Sequence, residues 1–63
     1  MIHSEYKYFD LGYRFEKADS RSPAWARSIA ADIRRLIESE RVEDRAEARR
    51  LVEQGRKEAR TQH

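Results

Sequence analysis

Pro23-Ala24-Trp25-Ala26-Arg27-Ser28-Ile29-Ala30-Ala31-Asp32-Ile33-Arg34-Arg35-Leu36-Ile37 is the stretch that decides the fold. Ala26, Ile29, Ile33 and Leu36 recur every three or four residues, which is the spacing of one helix face. Trp25, Ala30 and Ile37 widen that face, while Arg27, Arg34, Arg35 and Glu38 fall away from it. Ser22 can accept a hydrogen bond from an unpaired amide of the first turn, and proline suits the first helical position. The pattern predicts an amphipathic helix within residues 22–40.

A second helical pattern follows over residues 44–59. Asp44 and Glu47 have the spacing of a reciprocal capping box, and Val42 is placed to pack beneath the start. Ala48, Leu51, Val52, Gly55 and Ala59 form its stripe, which holds only two large apolar residues. The break between the patterns contains no proline or glycine, so one continuous helix from 23 to about 60 is the competing reading. Folded back at 40–43, the two stripes make an antiparallel two-helix hairpin. Ile29 and Ile33 then face Leu51, Val52 and Gly55, and Trp25 faces Gly55 or Ala59. Gly55 reads either as a close helix crossing or as a C-terminal cap. Arg60 to His63 are expected to fray.

Residues 1–17 differ in composition. Tyr6, Tyr8, Phe9, Tyr13 and Phe15 are five of the chain's six aromatics. Glu5-Tyr6-Lys7-Tyr8 and Tyr13-Arg14-Phe15-Glu16 alternate polar and aromatic residues, a period of two that favours strand. Asp10-Leu11-Gly12 between them suits a three-residue hairpin loop. The expectation is a short β-hairpin over 4–9 and 13–17, or an extended arm.

The fold class expected is therefore mostly α, one domain over residues 1–63, with the aromatic hairpin or arm ahead of the helical hairpin. A chain of 63 residues buries only about 60% of the surface its unfolded form exposes. Cysteine is absent and the two histidines, His3 and His63, lie at opposite ends. Disulfides are excluded, and a cofactor or structural metal is not expected. The uneven seam (Ile29, Ile33, Leu36, Ile37 against Leu51, Val52, Gly55) suggests a homodimer that closes a four-helix arrangement.

Charged residues make up 41% of the chain, yet the net charge is only +2. Opposite charges at helical spacing, such as Arg34 with Glu38, Arg49 with Glu53 and Glu53 with Lys57, read as solvated faces. Asp32 borders the apolar stripe. No apolar run is long enough for a membrane span and no export signal opens the chain, so a cytoplasmic protein is expected. There is no cysteine nucleophile, no internal histidine, no glycine-rich phosphate loop and no acidic pair flanked by a pocket-forming fold, so catalysis and a small-molecule substrate are not expected.

Two binding readings remain. Eleven of the fourteen cations are arginine, a residue suited to phosphates, carboxylates and aromatic faces. Arg45, Arg49 and Arg50 are candidate phosphate contacts. The segment Asp44-Arg45-Ala46-Glu47-Ala48-Arg49-Arg50-Leu51-Val52, preceded by a strand and a helix, resembles the second helix of ribbon–helix–helix repressors. That resemblance implies a dimer whose paired strands enter the DNA major groove. Six cations against five anions leave residues 43–63 at only +1.

The reading preferred here is a small non-catalytic regulator or adaptor of bacterial or phage type, which binds and masks a larger protein. Tyr6, Tyr8, Tyr13 and Trp25 are its candidate anchors, because tyrosine, tryptophan and arginine most often carry interface energy.

Overall fold

The computed structural model describes residues 5–62. They form three helices: α1 (Glu5–Asp19), α2 (Pro23–Glu38) and α3 (Val42–Thr61). The chain is mostly helical, with no strand among the described residues.

The central segment folds as its sequence predicts. Ser22 is extended at the N-cap of α2, and its hydroxyl accepts from the Trp25 amide at 3.3 Å. Pro23 opens the helix. Ala26, Ile29, Ile33 and Ile37 are buried. A separate third helix follows, so the single long helix is excluded.

The aromatic segment is a correction. Residues 5–17, expected to form a hairpin or arm, lie in one continuous helix; residue 4 lies outside the described residues. Tyr8, Gly12 and Ala18 are buried, and Leu11 and Phe15 pack against the core. These positions recur every three or four residues, so α1 has its own apolar face. That face competes with the period-two alternation and wins because helix packing buries it. Gly12 is not a turn residue, since no described glycine has positive φ.

Gly12 instead sits where α1 crosses α3. A Cβ on Gly12 would collide with the Val52 carbonyl oxygen and stand 2.8 Å from its carbon. A Cβ on Gly55 would collide with the Phe9 carbonyl oxygen and stand 2.9 Å from the Tyr13 amide nitrogen. The two glycines let the backbones touch. Gly55 is thus a close-crossing residue, but its neighbour is α1 rather than α2, and α3 runs past it to Thr61.

The arrangement also differs from the expected two-helix hairpin. α1 packs most extensively on α3 and next on α2, while α2 and α3 meet least. Ile29, Ile33, Ile37 and Val52 share one core with Tyr8, Ala18 and Ala48, and Leu36 and Leu51 pack at its margin. The apolar arc of α2 that α3 is too small to cover is met in part by α1.

Both ends of α3 also differ from the sequence reading. Its N-cap is Arg41, which makes no side-chain cap. Asp44 lies inside the first turn with Glu43, where both favour the positive helix end. Val42 does not pack beneath that start; it is 72% exposed. Of the stretch expected to fray, Arg60 to Gln62 are held by side-chain contacts, and residue 63 lies outside the described residues. Arg60 reaches Glu16 at 3.4 Å and Glu53 at 3.2 Å, and Gln62 accepts from Tyr13 at 2.8 Å. No helix among the described residues is long and apolar enough to cross a membrane.

Candidate interaction cleft at the α1–α2 corner

The four aromatic anchor candidates separate into different environments. Tyr8 is fully buried, which removes it from the binding surface. Its hydroxyl donates to Glu40 Oε2 at 2.7 Å and lies 3.0 Å from the Leu36 carbonyl oxygen. Burial, then the hydrogen bond to Glu40, then the negative charge of that carboxylate hold the phenol well above its usual pKa of 10.0. Tyr8 therefore keeps its proton and ties α1 to the end of α2. Tyr6 is 81% exposed on the first turns of α1.

Tyr13 and Trp25 come together. They line a cleft of about 320 Å³ with Arg14, Lys17, Ala18 and Arg21, where α1 ends and α2 begins. The Trp25 indole is 58% exposed. Capping by Ser22 fixes the turn that carries it. Tyr13 is held by its hydrogen bond to Gln62, and the Lys17 ammonium stands 5.4 Å from the centre of its ring. Lys17 Nζ also donates to the Gln62 carbonyl at 3.4 Å.

The charged side chains that line this cleft are all cationic, while Asp19 stands exposed at the end of α1 outside its lining. Arg14 meets Asp10 at 3.0 Å, an exposed pair, and that carboxylate does not line the cleft. Arg21 has no ion-pair partner among the described residues. The first turn of α2 carries no acidic residue, whereas that of α3 carries two, Glu43 and Asp44. The partial positive charge of the α2 N-terminus thus adds to three cationic side chains. The sequence reading missed Arg14, Lys17 and Arg21, because a hairpin does not bring them beside Trp25. Their spacing of three and four residues was the available signal.

The arginines proposed for phosphate contact are also divided. Arg45 turns back onto α2 and donates from Nη2 to the Glu38 carbonyl at 2.9 Å and from Nε to the Glu40 carbonyl at 3.3 Å. It is occupied in satisfying the end of a helix. Arg50 pairs with Glu47 at 3.3 Å. Arg49 is exposed and lines a groove of about 300 Å³ with Ala30, Ile33, Arg34, Ile37, Glu38 and Val52. The strand that the ribbon–helix–helix resemblance implies is absent from residues 5–17, which are helical.

The expected surface pairs re-sort as well. Glu53 pairs with Arg60 and Arg56 rather than with Arg49 or Lys57. Arg56 in turn meets Glu16 of α1 at 3.0 Å and covers the Phe15 ring at 4.8 Å. Asp32 pairs with Arg35 at 3.3 Å on an exposed face. Among the described residues no cluster of three or more His, Asp or Glu side chains could hold a metal ion.

No family model matches this chain, and neither a curated protein nor a solved structure matches it at a significant level.

Proposed function

We propose that this chain is a small non-catalytic regulatory or adaptor protein that docks on a larger cytoplasmic protein and masks part of its surface. The observation that carries the reading is the half-exposed Trp25 indole beside Tyr13, rimmed by Arg14, Lys17 and Arg21. Tryptophan, tyrosine and arginine are the side chains that most often anchor interfaces. The cleft offers an aromatic face for stacking and cationic side chains for charge. Tyr6, 81% exposed, is a second anchor on the same chain.

A homodimer is the other part of the proposal, and its support is narrower than the seam alone suggested. α1 covers much of the α2 stripe within one chain. The exposed large apolar groups among the described residues are Trp25, Val42 and Tyr6, and a second copy is one means of covering them.

Affinity capture from the source cell with the intact chain and with Trp25→Ala tests the reading. A protein retained by the former and lost by the latter supports it. Identical captures overturn it.

DNA binding is the second reading. Arg34 and Arg49 line the same groove between α2 and α3, and neither has an ion-pair partner among the described residues. Duplex affinity that falls steeply with salt, with a slope reduced in Arg49→Ala, supports it. Undetectable duplex binding at low salt excludes it.

A further inference from the structure

We propose that the α1–α2 corner cleft takes an acidic peptide segment, with one apolar side chain lying on Trp25 and flanking carboxylates meeting Arg14, Lys17 and Arg21. This inference rests on the docking reading above and adds the chemistry of the partner.

Charge complementarity carries it. The three cations surround a single apolar opening, and two of them, Lys17 and Arg21, have no carboxylate bound. The first turn of α2, which holds no acidic residue, carries Trp25 into the same corner. Arginine binds a carboxylate through two parallel N–H donors, and a half-exposed indole offers a face to an alkyl or aromatic group. The cleft therefore selects by sign and by one apolar contact.

Its form favours a peptide over a nucleic-acid strand. Strand binding uses a continuous cationic track with several stacking faces in succession. Here one indole is open, the Tyr13 ring is under Lys17 and its hydroxyl is bound to Gln62. Asp10 ends the positive patch on the α1 side.

Trp25 is the chain's sole tryptophan, so its fluorescence reads the cleft directly. The probes are a short synthetic peptide with one leucine between Asp and Glu residues, the same peptide with every carboxylate changed to its amide, and a short single-stranded oligothymidylate. The acidic peptide is expected to give a saturable change that weakens with added salt. Arg21→Ala should weaken that binding about tenfold, Lys57→Ala, an exposed α3 position outside the cleft, should leave it unchanged, and the amide peptide should bind far more weakly. Circular dichroism of each variant separates lost binding from lost fold.

Equal binding of the two peptides overturns the proposal, as does no saturation by about 1 mM. Tighter binding of the oligothymidylate than of the acidic peptide also overturns it and assigns the cleft to nucleic acid. If cell-derived capture depends on Trp25 while the acidic peptide fails, only this inference falls. If capture ignores Trp25, the docking reading falls with it.

Discussion

The Tyr8 hydroxyl and the Glu40 carboxylate meet at 2.7 Å across 32 residues of sequence. This bond joins the first helix to the connector between the second and third. Its pH dependence has a definite sign. The folded phenol holds its proton above the ordinary value of 10.0, so the unfolded chain ionises first as pH rises. Stability from this group is full below that value and is lost above it, by up to about 1.4 kcal/mol per pH unit. Denaturant titrations at rising alkaline pH should show this loss, and Tyr8→Phe should remove its share. An identical alkaline slope in both proteins would contradict the assignment.

Substitution at the glycine crossing should destabilise. Gly55→Ala gains about 1 kcal/mol of helix propensity but drives a methyl into the Phe9 carbonyl. Overpacking of this kind costs about 1–3 kcal/mol, and here the obstacle is backbone, which yields less easily than a side chain. Gly12→Ala meets Val52 in the same way. Lower melting temperatures for both variants are expected; a rise in either would mean that the helices part without loss.

Arg45→Ala tests whether this side chain serves the fold or a ligand. It should lose about 0.5–1.5 kcal/mol of stability by releasing the Glu38 carbonyl of α2 and the Glu40 carbonyl of the connector, with no change in the salt slope of any duplex binding. Chemical denaturation read beside a salt series decides the matter. A flattened slope with unaltered stability would return Arg45 to the surface.

Ser22→Ala should cost about 1 kcal/mol by removing the cap on α2. The same change should loosen the turn that carries Trp25, seen as a shift in its fluorescence. Ser22→Asp should restore the stability.

Sedimentation at micromolar protein examines the homodimer. About twice the 7.6 kDa chain mass is expected. A cooperatively folding monomer would remove the dimer from the proposal.

The legible and illegible parts of this chain divide for physical reasons. α2 was readable because its start signal, Ser22 with Pro23, and its isoleucine spacing agree. α3 was readable in outline, but Asp44 misplaced its start: acidic residues favour the N-cap and the first turn alike. α1 was misread because Tyr6, Tyr8, Tyr13 and Phe15 have strand propensity and also sit at alternating positions. The helical signal beneath, Tyr8, Leu11, Gly12, Phe15 and Ala18, includes a glycine that reads as a turn in isolation. Only the partner helix shows why a glycine is there. The cleft was half legible: Tyr13 and Trp25 were singled out, whereas its cations needed α1 to be a helix.

The ties at the end of α2 give the molecule a gradient of firmness. Tyr8 from α1, Ser39 from the connector and Arg45 from α3 all reach the last turn of α2 or the residues just after it. The opposite end of α2 is secured by its Ser22 cap and by short bonds within the Ala18–Ser22 turn. Amide exchange should therefore be slower at residues 36–40 than at 20–25. The chain would meet a partner with its yielding end while its knotted end holds the three helices together.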